Sequence, residues 1–207
     1  MAVITISRHF GAGGRTLGRR VANRLGYRYV DEDIIRQIAL KAKVSRAQVR
    51  SFEKDGTTKL MKFLDKIIST DYIHRLTEDK YRYIDESMYL DAVREVIRDF
   101  YEKDNAVIIG RGGQFILQGY DHAYHILLVA DMETKIRFLG KHYRLGEPDA
   151  KKAVERANDI RKRFLTIFAP PEMHDNPLVY HLAINMSRVT LEVAEELVVR
   201  LVKEGKS

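Results

Sequence analysis

The segment VITISRHFGAGGRTLG, residues 3–18, limits what this chain can fold into more than any other stretch. Val3 to Ser7 is short, β-branched and apolar, the pattern of a buried strand. Glycines at 11, 13 and 14 follow. Leu17, Val21 and Leu25 then recur every four residues up to Gly26, as in a helix closed by a glycine C-cap. Tyr27 to Val30 reads as a second short strand. Strand, glycine turn, helix and strand in that order predict a parallel βαβ unit, with the turn at the carboxyl end of the first strand.

A turn of this kind suits a phosphate group. Backbone N–H groups converge at a helix N-terminus, where the helix dipole also favours an anion, and glycines permit the close approach. Gly11, Ala12, Gly13, Gly14, Arg15 and Thr16 are the candidate phosphate-binding residues, with the Thr16 hydroxyl placed to meet a magnesium ion. Such loops carry a lysine, and this one has none. If GRT stands for the usual GK[ST], Arg15 takes the lysine's place and His9 falls where the first glycine belongs. If GAGG stands for GxGK, Gly14 falls at the lysine's position. Either way Arg8, Arg15 or Arg19 must supply the cation, and a forked guanidinium differs from a flexible ammonium. A glycine turn that binds nothing is the competing reading.

Downstream, residues 33–103 are patterned as helices. Ile34, Ile35, Ile38 and Ala39 make one apolar face, Leu60, Phe63, Leu64, Ile67 and Ile68 a second, and Tyr89, Val93, Val96, Ile97 and Phe100 a third. VIIG (107–110) reads as a buried strand and AYHILLVAD (123–131) as a central one. A helix is expected from Lys135 to Tyr143 and a basic helical segment from about Asp149 to Phe168. APPEMHDNP (169–177) holds three of the four prolines and reads as a loop. LAIN (182–185) reads as a last strand, and a closing helix follows with Thr190 as its N-cap.

Composition narrows the chemistry. With no cysteine, disulfides, thiolate nucleophiles and cysteine-ligated zinc are excluded. Histidine spacing gives no metal site. Hydrophobic residues at 45% against 31% charged describe a globular chain, and no apolar run approaches a membrane span. The start MAVITIS has no basic leader, so no signal peptide and a cytoplasmic location are expected. A net charge of +7 favours acidic partners, and both phosphorylated small molecules and nucleic acid satisfy it.

Four blocks, ITISRHFGAGGRTLG, GYRYVDEDII, NAVIIGRGGQFIL and NPLVYHLAINMSRVTLEVAEEL, resemble the cytidylate kinase-like proteins of the nucleoside monophosphate kinase group. The loop form GxGGR departs from the GxGKGT of true cytidylate kinases. The resemblance implies a three-layer α/β P-loop NTPase fold in one domain. It would have a parallel sheet core, a helical monophosphate-binding region at 33–103 and a basic lid at about 144–176. It implies ATP and Mg2+ as cofactors and small-molecule nucleotides as partners, with neither membrane nor nucleic acid expected. Arg111, after the VIIG strand, matches the arginine that holds the acceptor's phosphate. Asp31 matches the acid at the end of the second strand, where a helix N-cap is the competing role, and Arg36 follows on the next helix. Arg137 and Arg163 are the candidate lid arginines, with Arg161 in reserve. Together with Arg15 and Arg111 they form the expected catalytic set. Asp175, Ser187 and Arg188 fall loosely where the kinases recognise bases, and the PPEMHDNP loop lacks the arginine string that reads cytosine.

Three functions remain in competition. One is an ATP-dependent phosphotransferase acting on a nucleoside monophosphate or related phosphorylated acceptor. Another is a nucleotide-binding regulator that has lost turnover with its lysine. The third, a basic nucleic-acid-binding domain, has charge alone in its favour.

Overall fold

A computed structural model describes residues 2–55, 86–103 and 105–205. The expected apolar face from Leu60 to Ile68 lies outside the described residues. In chain order the elements are β1 (Val3–Arg8), α1 (Gly14–Leu25), β2 (Arg28–Val30), α2 (Glu32–Lys41) and α3 (Arg46–Asp55). After them come α4 (Glu86–Lys103), β3 (Ala106–Ile109), α5 (Gly113–Ile116), β4 (Ala123–Val129) and α6 (Met132–Tyr143). The chain closes with α7 (Glu147–Leu165), 3-10 turns at Pro171–Met173 and Pro177–Val179, β5 (Leu182–Asn185) and α8 (Leu191–Glu204).

The strands form one parallel sheet, in the order β2-β3-β1-β4-β5. β1 therefore runs through the centre, and β3 inserts between it and β2. Alternation along β1 divides the core. Ile4 and Ile6 face Leu17, Val21, Val107, Ile109, Ala194 and Val198, so α1 and α8 cover one side of the sheet. Thr5 and Ser7 face the other side, where α5 and the chain around Val179 and Tyr180 pack. This is a three-layer α/β fold.

Local signals explain the element ends. Gly26 adopts a left-handed conformation at φ 71° and returns its N–H to the Ala22 and Asn23 carbonyls, closing α1. Thr190 accepts from the Val193 N–H to start α8. Asp131 accepts from the Thr134 N–H at 2.8 Å, which starts α6 at Met132, three residues before the expected Lys135. Arg20 bonds Glu192 at 2.8 Å and Glu195 at 2.5 Å, clamping the loop-bearing helix α1 to α8.

Contacts divide the chain into two compact units, Met1–Asp31 with Ile97–Ser207, and Glu32–Val96. The first holds the whole sheet. Within the second, Ile34, Ile35 and Ile38 are buried, Phe52 stacks on Tyr89 at 4.7 Å, and the Tyr89 hydroxyl donates to Glu53. No helix among the described residues is long and apolar enough to cross a membrane.

One buried polar pair makes the sheet pH-sensitive. His125 on β4 is 3% exposed and its Nδ1 lies 2.8 Å from the Thr5 hydroxyl. Burial, reinforced by the neighbouring His181, lowers its pKa to about 4. The unfolded chain thus binds a proton near pH 6.5 that the folded chain refuses until about pH 4, so stability falls with pH through that window. A loss of about 3 kcal/mol is expected between those limits. The Thr5→Val/His125→Leu pair, which removes both polar groups, should flatten most of that slope in denaturant titrations at pH 4.5 and 6.5. An unaltered slope would assign the effect to other groups.

Candidate active site

The glycine turn leaves the carboxyl end of the central strand. Gly11 and Gly13 have φ of 83° and 79°, which side chains rarely adopt, and Gly13 is the N-cap of α1. No side chain caps that end, so the first N–H groups of α1 face the turn unclaimed by a capping residue. Ala12 is buried and its N–H bonds the His9 carbonyl, while the His9 N–H bonds Leu128 on β4. Thr16 is exposed in the first turn of α1.

Strand order places different chemistry on the two sides of the turn. On the β4–β5 side lies a cavity of about 300 Å3, lined by Gly11, Gly13, Thr16, Phe138, Met186 and Thr190. The Phe138 ring stacks on His142 at 4.1 Å, giving that cavity an aromatic wall suited to a planar base. On the β3–β2 side lie Arg111 and Asp31. Arg111 sits at φ 53° between Gly110 and Gly112, both also left-handed, a conformation costing about 1–3 kcal/mol for a residue with a side chain. Its Nη1 donates to Asp31 at 3.2 Å and to the Ile109 carbonyl at 3.3 Å. Asp31, 5% exposed, also takes Arg15 Nε at 2.9 Å and the Tyr29 hydroxyl at 3.3 Å.

Above the turn runs a second polar chain. The Lys135 ammonium lies 3.2 Å from His9 Nδ1, and His9 Nε2 lies 3.1 Å from Asp175. An ammonium can only donate, so Nδ1 accepts and the Nε2–H donates to the carboxylate. Arg161 donates to Asp175 at 2.7 Å and to the Ser7 hydroxyl at 3.0 Å. Burial opposes ionisation of Asp175, yet the hydrogen bonds from His9 and Arg161 hold its pKa well below the usual carboxylate range. Lys135 is 6% exposed, and its burial lowers its pKa against the pull of Asp131 and Asp175.

The expected site residues separate accordingly. Gly11 to Thr16, Arg15, Asp31 and Arg111 meet at one end of the sheet, and Arg36 is exposed on α2 in the second unit. Arg137 is not brought to the turn: it faces solvent, paired with Glu133. Lys135 is the basic residue of α6 that reaches the turn. Arg163 is exposed and lines a second cavity of about 690 Å3 with Thr166, Glu172, Asp175 and Asn176, and the reserve residue Arg161 takes the inward position instead. Arg19 stacks over Tyr29. Ser187 accepts the Asp131 N–H and props the start of α6. Lys135, His9 and Asp175 acting as one chain escaped the sequence pattern. The signal available was Lys135 four residues before buried Leu139, on the inward face of its helix.

Among the described residues no group of three or more acidic or histidine side chains is suited to a metal. The Thr16 hydroxyl, exposed in the first turn of α1, would fit Mg2+ arriving on a nucleotide, since magnesium takes few protein ligands and keeps phosphate and water in its shell.

A parallel sheet of order 2-3-1-4-5 with a glycine turn after its central strand gives the chain a three-layer α/β fold of the P-loop type. The chain belongs to the cytidylate kinase-like family, whose sequence profile matches residues 3–188. No curated protein matches it in sequence. An uncharacterized protein from Eubacterium ventriosum ATCC 27560 shares its fold at 14% identity and a TM-score of 0.66, with 99% of each chain covered. Shikimate kinase from Bacteroides thetaiotaomicron matches at 14% identity and a TM-score of 0.52, covering 98% of each chain. Shikimate kinase from Acinetobacter baumannii, in complex with shikimate, matches at 14% identity and a TM-score of 0.53, covering 100% of this chain and 95% of the other. At such identities the likeness is one of fold.

Proposed function

We propose that the chain is an ATP- and magnesium-dependent phosphotransferase whose acceptor is a nucleoside monophosphate or a related small phosphorylated molecule. The observation that carries this is the division of the turn: a base-sized aromatic cavity on one side, and Arg111 with Asp31 on the other. An oxygen of the acceptor would attack the terminal phosphorus of ATP, the bond to the bridging oxygen would break, and ADP would leave. The protein's share is placement and charge, which is most of what phosphoryl transfer asks of it. Magnesium held by Thr16 and the phosphates would neutralise oxygens as charge shifts. Five cations, Arg8, Arg15, Arg111, Arg161 and Lys135, crowd two carboxylates, Asp31 and Asp175, so the site is short of negative charge until nucleotides enter. Residues 33–103, with Arg36, are assigned to the acceptor and residues 144–176 to a lid.

The test is a panel of nucleoside monophosphates with MgATP, read by ADP release. Turnover on at least one acceptor is expected. Tight ATP binding with no turnover on any would make the chain a nucleotide-binding regulator. Salt-sensitive binding of RNA or DNA without ATP binding would make it a nucleic-acid protein.

A further inference from the structure

We propose that Arg8, the last residue of β1, is the cation that replaces the missing loop lysine and receives the terminal phosphate of bound ATP. This rests on the phosphotransferase reading above. The Arg8 stem lies across the first residue of α1. A Cβ added at Gly14 would come within 2.8 Å of Arg8 Cγ and 3.0 Å of its Cβ. Position 14 is where the GxGK pattern places its lysine, and here that side-chain space is already filled by Arg8. The head of the side chain is accommodated in the same way. A Cβ at Gly110 would come within 2.2 Å of Arg8 Nη1, so Gly14 leaves room for the stem and Gly110 for the guanidinium.

That guanidinium ends between the phosphate turn and Arg111, in the gap separating the two sides of the site. Among the described residues it has no carboxylate or carbonyl within hydrogen-bond reach, although it is only partly exposed and can donate five hydrogen bonds. Arg15, Arg111 and Arg161 all repel it, while Asp31 attracts it from beyond bonding distance. Burial first and Arg111 second lower its pKa to about 10, so it stays charged at neutral pH. A forked cation held without an acceptor among other arginines fits an anion that arrives with substrate. Its place on the β3 side of the turn, away from the aromatic cavity, points to the nucleotide's last phosphate rather than its first.

The experiment compares MgADP with the magnesium complex of the non-hydrolysable β,γ-imido analogue of ATP, both titrated calorimetrically into wild type and variants. Arg8→Met keeps the stem over Gly14 and removes the charge. It is expected to bind MgADP within about twofold of wild type and to lose about tenfold in affinity for the imido analogue. Arg8→Lys keeps the charge without the fork, and a loss of about threefold is expected; it carries the comparison if Arg8→Met does not fold. The Arg8→Ala/Gly14→Lys pair returns the lysine to the space the arginine stem filled, and should regain the preference for the imido analogue that Arg8→Ala alone loses. Equal loss of both nucleotides, or loss of neither, overturns the assignment while leaving the phosphotransferase reading in place. A wild-type protein that binds neither nucleotide overturns both.

Discussion

Lys135→Met should lower turnover about 10²- to 10³-fold, the usual cost of removing one preorganised charge from a transition state. The ammonium is fixed in place. Its stem would lie 3.1–3.2 Å from a Cβ at Gly11, so it rests directly on the glycine turn, and its head is tied to His9. Methionine matches the stem in length and preserves that packing, which isolates the charge. MgADP binding should weaken much less than kcat, because charge builds on the transferred group and the leaving oxygen during reaction. Lys135→Arg should restore part of the rate. Steady-state kinetics on the acceptor found in the panel decide the matter. A change within threefold for Lys135→Met would reduce Lys135 to a prop for Gly11.

Lys135 and Arg161 turn inward where Arg137 and the expected Arg163 do not, and the reason is the same on both helices. Two residues along a helix turn the side chain by about 200°, which carries it to the opposite face. Lys135 precedes buried Leu139 by four and Arg161 precedes buried Leu165 by four, so each shares the inward stripe of its helix. Arg137 and Arg163 point outward. Counting basic residues in a segment does not see this; anchoring each to the nearest buried leucine does. The strands, α1 and its C-cap were legible because β-branched runs, a four-residue apolar period and Gly26 all act locally. The insertion of β3 between β1 and β2 was not, because strand order is set by how crossover helices pack. That insertion is what brings Arg111 alongside the turn. The role of Gly14 was likewise hidden. Its neighbour is Arg8, six residues earlier, and only the closed turn shows that the stem of one fills the side-chain space of the other.

Arg111→Ala is expected to lower turnover by about a hundredfold or more, with the acceptor's KM rising well before that of ATP. Arg111 lies on the β3–β2 side, opposite the aromatic cavity, and its side chain is 10% exposed. The same change should cost about 2 kcal/mol of stability, because Asp31 stays buried with one of its bonded cations removed. These two losses separate in a double variant. Asp31→Asn on the Arg111→Ala background removes the stranded charge, so urea titration should show much of the stability return. Turnover should not return, since the cation proposed to hold the acceptor would still be missing. If activity and stability recovered together, Arg111 would be a strut for the Asp31 carboxylate and the acceptor's phosphate would be held elsewhere. If neither recovered, the left-handed turn at Gly110–Gly112 would itself depend on the Arg111 side chain. In that case the strain at φ 53° would be maintained by the bond to the Ile109 carbonyl rather than by substrate.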